Sequence, residues 1–334
     1  MATEPASVQE VSHEPLPATR RREVLGAAFL TALLLLTFLA LPLLGTLALP
    51  FAAVPAVRLT HRQGVGAGLL AGALAACLLL LLGAASGGLS EALAGALSAA
   101  VVAGAPASFS GAVRRGLEAS RAYLALCVAG YAILAGGLIL RSALGGPAMR
   151  EEIRSTFEGF GSAAVQSYTK ARMDDAETIS RLKTTLQTAE RFASRFWVGL
   201  VGASWVLGSA VGFYAGARMA RPAASAEAVR FEDLRVPAVV AALFVAAGAG
   251  TVLAPAPAAE VAGDLLLPLS ALYFLAGLSI ICHFARKWFR ARVLRVGLYA
   301  LVLYFPINAG VALLGLFDWY ADFRSRGERT IERS

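Results

Sequence analysis

The 334 residues are 57% hydrophobic and only 16% charged, with a mean hydropathy of +0.66, whereas soluble domains run at about 45–50% apolar and about 25% charged. That balance excludes an ordinary soluble globular protein. The net charge of +8 lies in short arginine clusters between apolar runs, so it points to membrane topology and not to nucleic-acid binding.

In chain order, residues 1–19 are polar and carry three prolines, which predicts a disordered cytoplasmic tail. Arg20, Arg21 and Arg22 follow. The apolar stretch from Val24 to Val57 then exceeds the h-region of a signal peptide and lacks a small-residue cleavage site, so it reads as the first spans. Because a spanning helix needs about 20 apolar residues, candidate spans fall at 24–42, 43–57, 64–83, 91–109, 122–140, 196–217, 236–254, 261–284 and 296–317. Pro42, Pro50 and Pro55 divide the first two into a helix, a turn and a short kinked helix. The fold class is therefore all-α: a polytopic transmembrane helix bundle of eight to nine passages. The membrane bundle occupies 20–217, a cytoplasmic loop 218–235, C-terminal membrane helices 236–317, and a polar tail 318–334.

Lysine and arginine number 3 at 20–22, 2 at 58–62, 3 at 114–121, 4 at 218–235 and 5 at 286–295, while the short alternate loops carry none. The asymmetry places the N-terminus in the cytoplasm of a cell with an inner membrane. Residues 141–195 form a polar insert on the outside. There Met149, Ile153, Phe157 and Phe160, and then Ile179, Leu182, Leu186, Ala189, Phe192 and Phe196, recur at helical spacing. Two amphipathic helices are expected, the second continuous with the sixth span. They either cover the protein's own outer surface or serve as a lid or docking helix.

Few residues suggest chemistry. No enzyme signature occurs, Cys77, Cys127 and Cys282 lack metal-ligand spacing to one another or to the three histidines, and neither a cofactor nor a metal is expected. Gly64, Gly68 and Gly72 on the third span, and Gly208, Gly212 and Gly216 on the sixth, are four apart and read as helix-packing faces. Glu91 at the outer start of the fourth span, and Tyr131 and Trp205 near mid-span, are the candidate ligand contacts. Arg286, Lys287, Arg290, Arg292 and Arg295, interleaved with Trp288 and Phe289, either orient the helices or also bind anionic lipid headgroups.

The closing segment, YFPINAGVALLGLFDWYADFR, breaks an apolar run at Pro306. Asn308 is placed to bond the carbonyl that a proline frees, or to contact a ligand in a broken helix. A full crossing at 296–317 would put the tail arginines outside. A fold-back at Pro306 returns them inside, with Asp318, Trp319, Tyr320 and Asp322 as an interfacial anchor, and this arrangement is preferred.

With its spans laid out, the chain resembles the YybS-like family of multi-pass bacterial membrane proteins, most distinctively in that closing segment. The family is distantly similar to the S subunits of energy-coupling-factor transporters, six-helix proteins that capture vitamins or metal ions from outside. The resemblance implies an S-subunit-like unit in spans one to six, with the insert in its fifth-to-sixth loop. It also implies a docking face for a coupling subunit at Ala28 and Ala32, which match the Ala-x-x-x-Ala spacing. Two functions follow: a small-solute-binding transporter subunit, or a noncatalytic scaffold or regulator that recruits a partner protein.

Overall fold

The computed structural model describes residues 18–40, 48–86, 95–143, 149–170, 176–220, 229–289, 291–302 and 307–324. The described residues form helices and no strand. In order these are α1 (Ala18–Ala40), α2 (Val54–Gln63), α3 (Val65–Ser86), α4 (Gly95–Arg114), α5 (Ala119–Ala143), α6 (Met149–Lys170), α7 (Ala176–Arg195) and α8 (Trp197–Met219). They continue with α9 (Ala238–Leu253), α10 (Ala258–Trp288), α11 (Arg292–Val302) and α12 (Ile307–Ala321). Short 3-10 turns occupy Leu49–Phe51 and Phe231–Asp233. Five helices, α3, α4, α5, α8 and α10, are long and apolar enough to cross a bilayer, and α9 and α12 are shorter apolar helices.

The second span differs from expectation in both place and role. Pro50 and Pro55 start helical turns instead of breaking one, since an N-terminal position needs no N–H donor. α2 therefore runs past Val57 through Arg58 and Arg62 to Gln63, six residues beyond the expected end. It is the centre of the N-terminal bundle, touching α1, α3, α4 and α8, with Ala56, Val57 and Thr60 wholly buried.

Glycines make that burial possible. A Cβ at Gly68 would overlap the Thr60 hydroxyl and lie 2.8 Å from the Ala56 carbonyl oxygen; one at Gly212 would overlap the Ala53 methyl; one at Gly216 would sit 2.7 Å from Val57 Cβ. Two small-residue faces, on α3 and α8, thus close on the same short helix. Gly72 and Gly208 make only ordinary contacts, to Ala103 at 3.4 Å and Pro50 at 3.9 Å. Gly64 is not part of a packing face. It ends α2 with φ +104°, a conformation a side chain would strain, and turns the chain into α3.

On α1, Leu25, Phe29, Leu33 and Leu36 point outward, the stripe expected to meet lipid tails. Ala28 and Ala32 point inward. Ala28 packs with Leu59 and Ala71, and Ala32 with Ala52 and Ala75, so the proposed docking face is an internal contact of this chain.

Helix ends rich in arginine gather on one face. Glu23 near the start of α1 pairs with Arg62 at 3.7 Å and accepts from Gln63, both at the end of α2. Arg114, ending α4, donates to the Thr60 carbonyl at 2.6 Å. Ser120, starting α5, donates to the Asp233 carbonyl at 3.1 Å and accepts from the Arg235 N–H at 3.2 Å.

The candidate span at 296–317 consists, in its described residues, of two short helices. α12 lies along α10, where Cβ atoms at Gly277 and Gly315 would overlap the Val311 and Tyr273 carbonyl oxygens. Arg324, three residues past the end of α12, reaches the same Phe231–Asp233 turn that Arg286 reaches from the end of α10. α10 and α12 thus end at one face. At 11 and 15 residues, α11 and α12 extend about 16 and 22 Å, against a hydrocarbon core of about 30 Å. Each is shorter than a full crossing, and Pro306 falls in the gap between them, outside the described residues.

Candidate functional site

Inside the bundle, the α5–α8 interface is filled by its own side chains. Tyr123, Leu126 and Phe213 are fully buried, with Trp205 and Tyr214 close to it. The Tyr123 hydroxyl donates to the Val206 carbonyl at 2.6 Å, the Trp205 indole N–H to the Leu126 carbonyl at 3.2 Å, and the Ser209 hydroxyl to the Val206 carbonyl at 3.2 Å. Trp205 lies flat over Gly130, where a Cβ would overlap its ring. A π-helical segment at Val211–Ala215 rotates Phe213 and Tyr214 into this cluster, and a second occurs in α4 at Ala100–Gly104. Trp205, expected as a ligand contact, spends its polar group on the fold. Tyr131 is half-buried toward the other end of the bundle, packed on Gly202 of α8 and within the field of Asp264 of α10. Asp264 accepts the Gly199 N–H at 2.8 Å.

At the basic face a polar clamp closes over the aromatic cluster. Arg324 is 5% exposed. Its guanidinium donates to the Glu232 carbonyl, to the Leu234 carbonyl at 2.8 Å and to the Ser279 hydroxyl at 2.8 Å, and it pairs with Asp318 at 3.4 Å. Burial pulls its pKa below the usual arginine value while Asp318 pulls the other way. Arg286 contacts both Glu232 carboxylate oxygens, at 2.6 and 2.7 Å, and Arg235 pairs with Asp322 at 3.7 Å. The two aspartates of the closing segment are therefore ion-pair partners of arginines, while Trp319 and Tyr320 are exposed. Among the described residues, Tyr214 Oη, Asp318 Oδ1 and Arg324 Nε have no hydrogen-bond partner.

The other predicted residues are dispersed. Asn308 is half-buried in the first turn of α12. Glu91 and Arg290 lie outside the described residues. In the basic cluster, Lys287 is exposed, Arg295 is half-buried, and Arg292 begins α11. Trp288 is 66% exposed and stacks on Phe284 at 5.1 Å.

An open concave surface lies elsewhere among the described residues, between α6 and α7. α7 leads into α8 through a bend at Phe196, across which the backbone hydrogen bonds continue from Phe192 to Leu200. Arg195 and Glu260 pair at 3.4 Å across this joint, and Phe196 fills the space over Gly263 of α10. The joint belongs to the face opposite the arginine-rich helix ends, because it sits at the start of α8 and α10. α6 packs against α7, and no described residue of either helix is buried. Between them runs a groove of about 910 Å³, with Phe157, Gly161, Val165 and Leu186 on its floor and Arg154, Glu158, Lys183 and Glu190 among its rim residues. Sequence periodicity finds the stripes that form this hairpin. The Arg324 clamp leaves no such periodic trace, because two of its four partners are backbone carbonyls and the others are a serine hydroxyl and an aspartate.

Residues 29–319 match a family model described as "Predicted membrane protein (DUF2232)". No curated protein and no solved structure matches the chain.

Proposed function

Because the chain belongs to the DUF2232 family of membrane proteins, we propose that it is a noncatalytic membrane subunit whose α6–α7 hairpin recruits a protein partner outside the bilayer. The observation that carries this reading is the groove. Its apolar floor and charged rim are left open by the fold, whereas the described polar groups of the α5–α8 interface are largely taken up internally. The arginine-rich face is then cytoplasmic by the positive-inside rule, and the hairpin extracytoplasmic in a bacterial inner membrane. A photo-crosslinking side chain at Gln187, in the groove, should give a discrete protein adduct in native membranes. The same probe at Thr185, on the opposite face of α7, should not, and equal yields at the two positions would sink the reading.

A second reading is favoured by one grouping. α1, α2, α3, α4, α5 and α8 pack together, in the part of the chain where the resemblance to energy-coupling-factor S subunits implies a six-span unit, with α2 at ten residues too short to be one of the spans. In that case Tyr131, near Asp264, is the ligand contact to test. Stabilisation of the purified protein by one vitamin or metal ion from a panel, lost in Tyr131→Phe, would support it; no stabilisation by any of them would count against it. In either role the basic cluster has a lipid-facing part. Exposed Trp288, Val293 and Leu294 beside Lys287 and Arg295 suit an anionic headgroup region. Lys287→Ala with Arg295→Ala should reduce co-purifying anionic lipid, and unchanged retention would leave those residues with topology alone.

A further inference from the structure

We propose that the partner seated in the α6–α7 groove is a second copy of this chain, the two hairpins joining groove to groove as a four-helix bundle. This rests on the recruitment reading and names its occupant.

Two amphipathic helices alone bury only one seam. In α6 and α7 the seam residues Ile153, Phe157, Leu182 and Leu186 are only half-buried, whereas stable bundles enclose such stripes between more than two helices. Most of the lining residues share one face of each helix, among them Arg154, Glu158, Gly161 and Val165 on α6 and Lys183, Leu186 and Glu190 on α7. A copy of the hairpin brings the same apolar floor, so an isologous contact closes both grooves at once.

Charge supports this occupant. The rim carries Arg154 and Lys183 against Glu158 and Glu190, which balance. Gly161 lies beside Leu186, a Cβ there being 3.5 Å from Leu186 Cδ1, and Glu190 acts on Arg154, so the helices are antiparallel with these pairs at matching heights. Two copies inserted in one membrane in the same sense are related by a two-fold axis along the membrane normal. That axis preserves height and sets α6 of one copy against α7 of the other. Arg154 then meets Glu190 of the second copy, Glu158 meets Gln187, and Lys183 meets Ser162 and Gln166. No like charges oppose one another in this arrangement.

The test uses full-length protein in mild detergent, with Cys77, Cys127 and Cys282 replaced and one cysteine returned by Leu186→Cys or, as control, by Thr185→Cys. A short bis-maleimide should join Leu186→Cys to itself as a species of two chains and leave Thr185→Cys as one. Light scattering should give a two-chain mass. Arg154→Glu should shift the mass toward one chain, and Arg154→Glu with Glu190→Arg should restore it. A one-chain mass with Leu186→Cys unjoined, or equal joining at both positions, overturns the proposal. If the purified protein is a single chain but Leu186→Cys joins a different protein in native membranes, self-association fails while recruitment stands. If it joins nothing in either setting, both fail.

Discussion

The two ends of this molecule are built on opposite terms. At the arginine-rich face, one buried guanidinium ties α12 and α10 to the Phe231–Asp233 turn, and Ser120 binds that turn to α5. On the other face, α6 and α7 carry no buried described residue and pack mainly on each other. Removing a partner from the first region strands buried charge. Altering the second exposes little that was not already wet. The fold therefore leans on the clamp, and the hairpin's exposed face contributes little to it.

Perturbations of the two regions should separate accordingly. Arg324→Met leaves Asp318 without its ion-pair partner and the Glu232 carbonyl without its donor, and should lower unfolding stability in detergent by about 3–5 kcal/mol. A loss below about 1 kcal/mol would place Arg324 with ordinary surface pairs. Gly277→Leu drives a side chain into the Val311 backbone. It should cost about 1–3 kcal/mol, and limited proteolysis should then release the C-terminal segment faster than in the parent. Tyr123→Phe gives up the bond to the Val206 carbonyl, for about 1 kcal/mol in the same unfolding measurement. Thr185→Ala, on the exposed back of the hairpin, should change bundle stability by less than about 0.5 kcal/mol. An effect as large as that of Tyr123→Phe would show the hairpin to be part of the core.

The amphipathic stripes of α6 and α7 were legible because apolar periodicity survives in any helix that is half wet. Spans were legible as apolar lengths, but their ends were not. α2 runs on through Arg58 and Arg62 because these sit at its basic-face end, where charge can reach water or Glu23. Glycine spacing marks a helix face without naming what closes on it: Gly68 and Gly216 meet α2 and Gly212 meets Ala53 just before it, whereas Gly64 is a turn. Ala28 and Ala32 have the spacing of a docking face, yet spacing alone cannot distinguish an inward contact from an outward one. The division of 296–317 into two short helices was legible from Pro306, which lies between them. The Arg324 clamp was not, since three of its partners come from residues 232, 234 and 279, far along the chain.

On the proposed topology the hairpin and the C-terminus lie on opposite sides of the membrane. Membrane-impermeant maleimide labelling of Thr185→Cys and Ser334→Cys, each in a background without native cysteines, tests it most directly. The account predicts that Thr185→Cys is labelled on intact cells and Ser334→Cys only after lysis; labelling of both from the same side would contradict it.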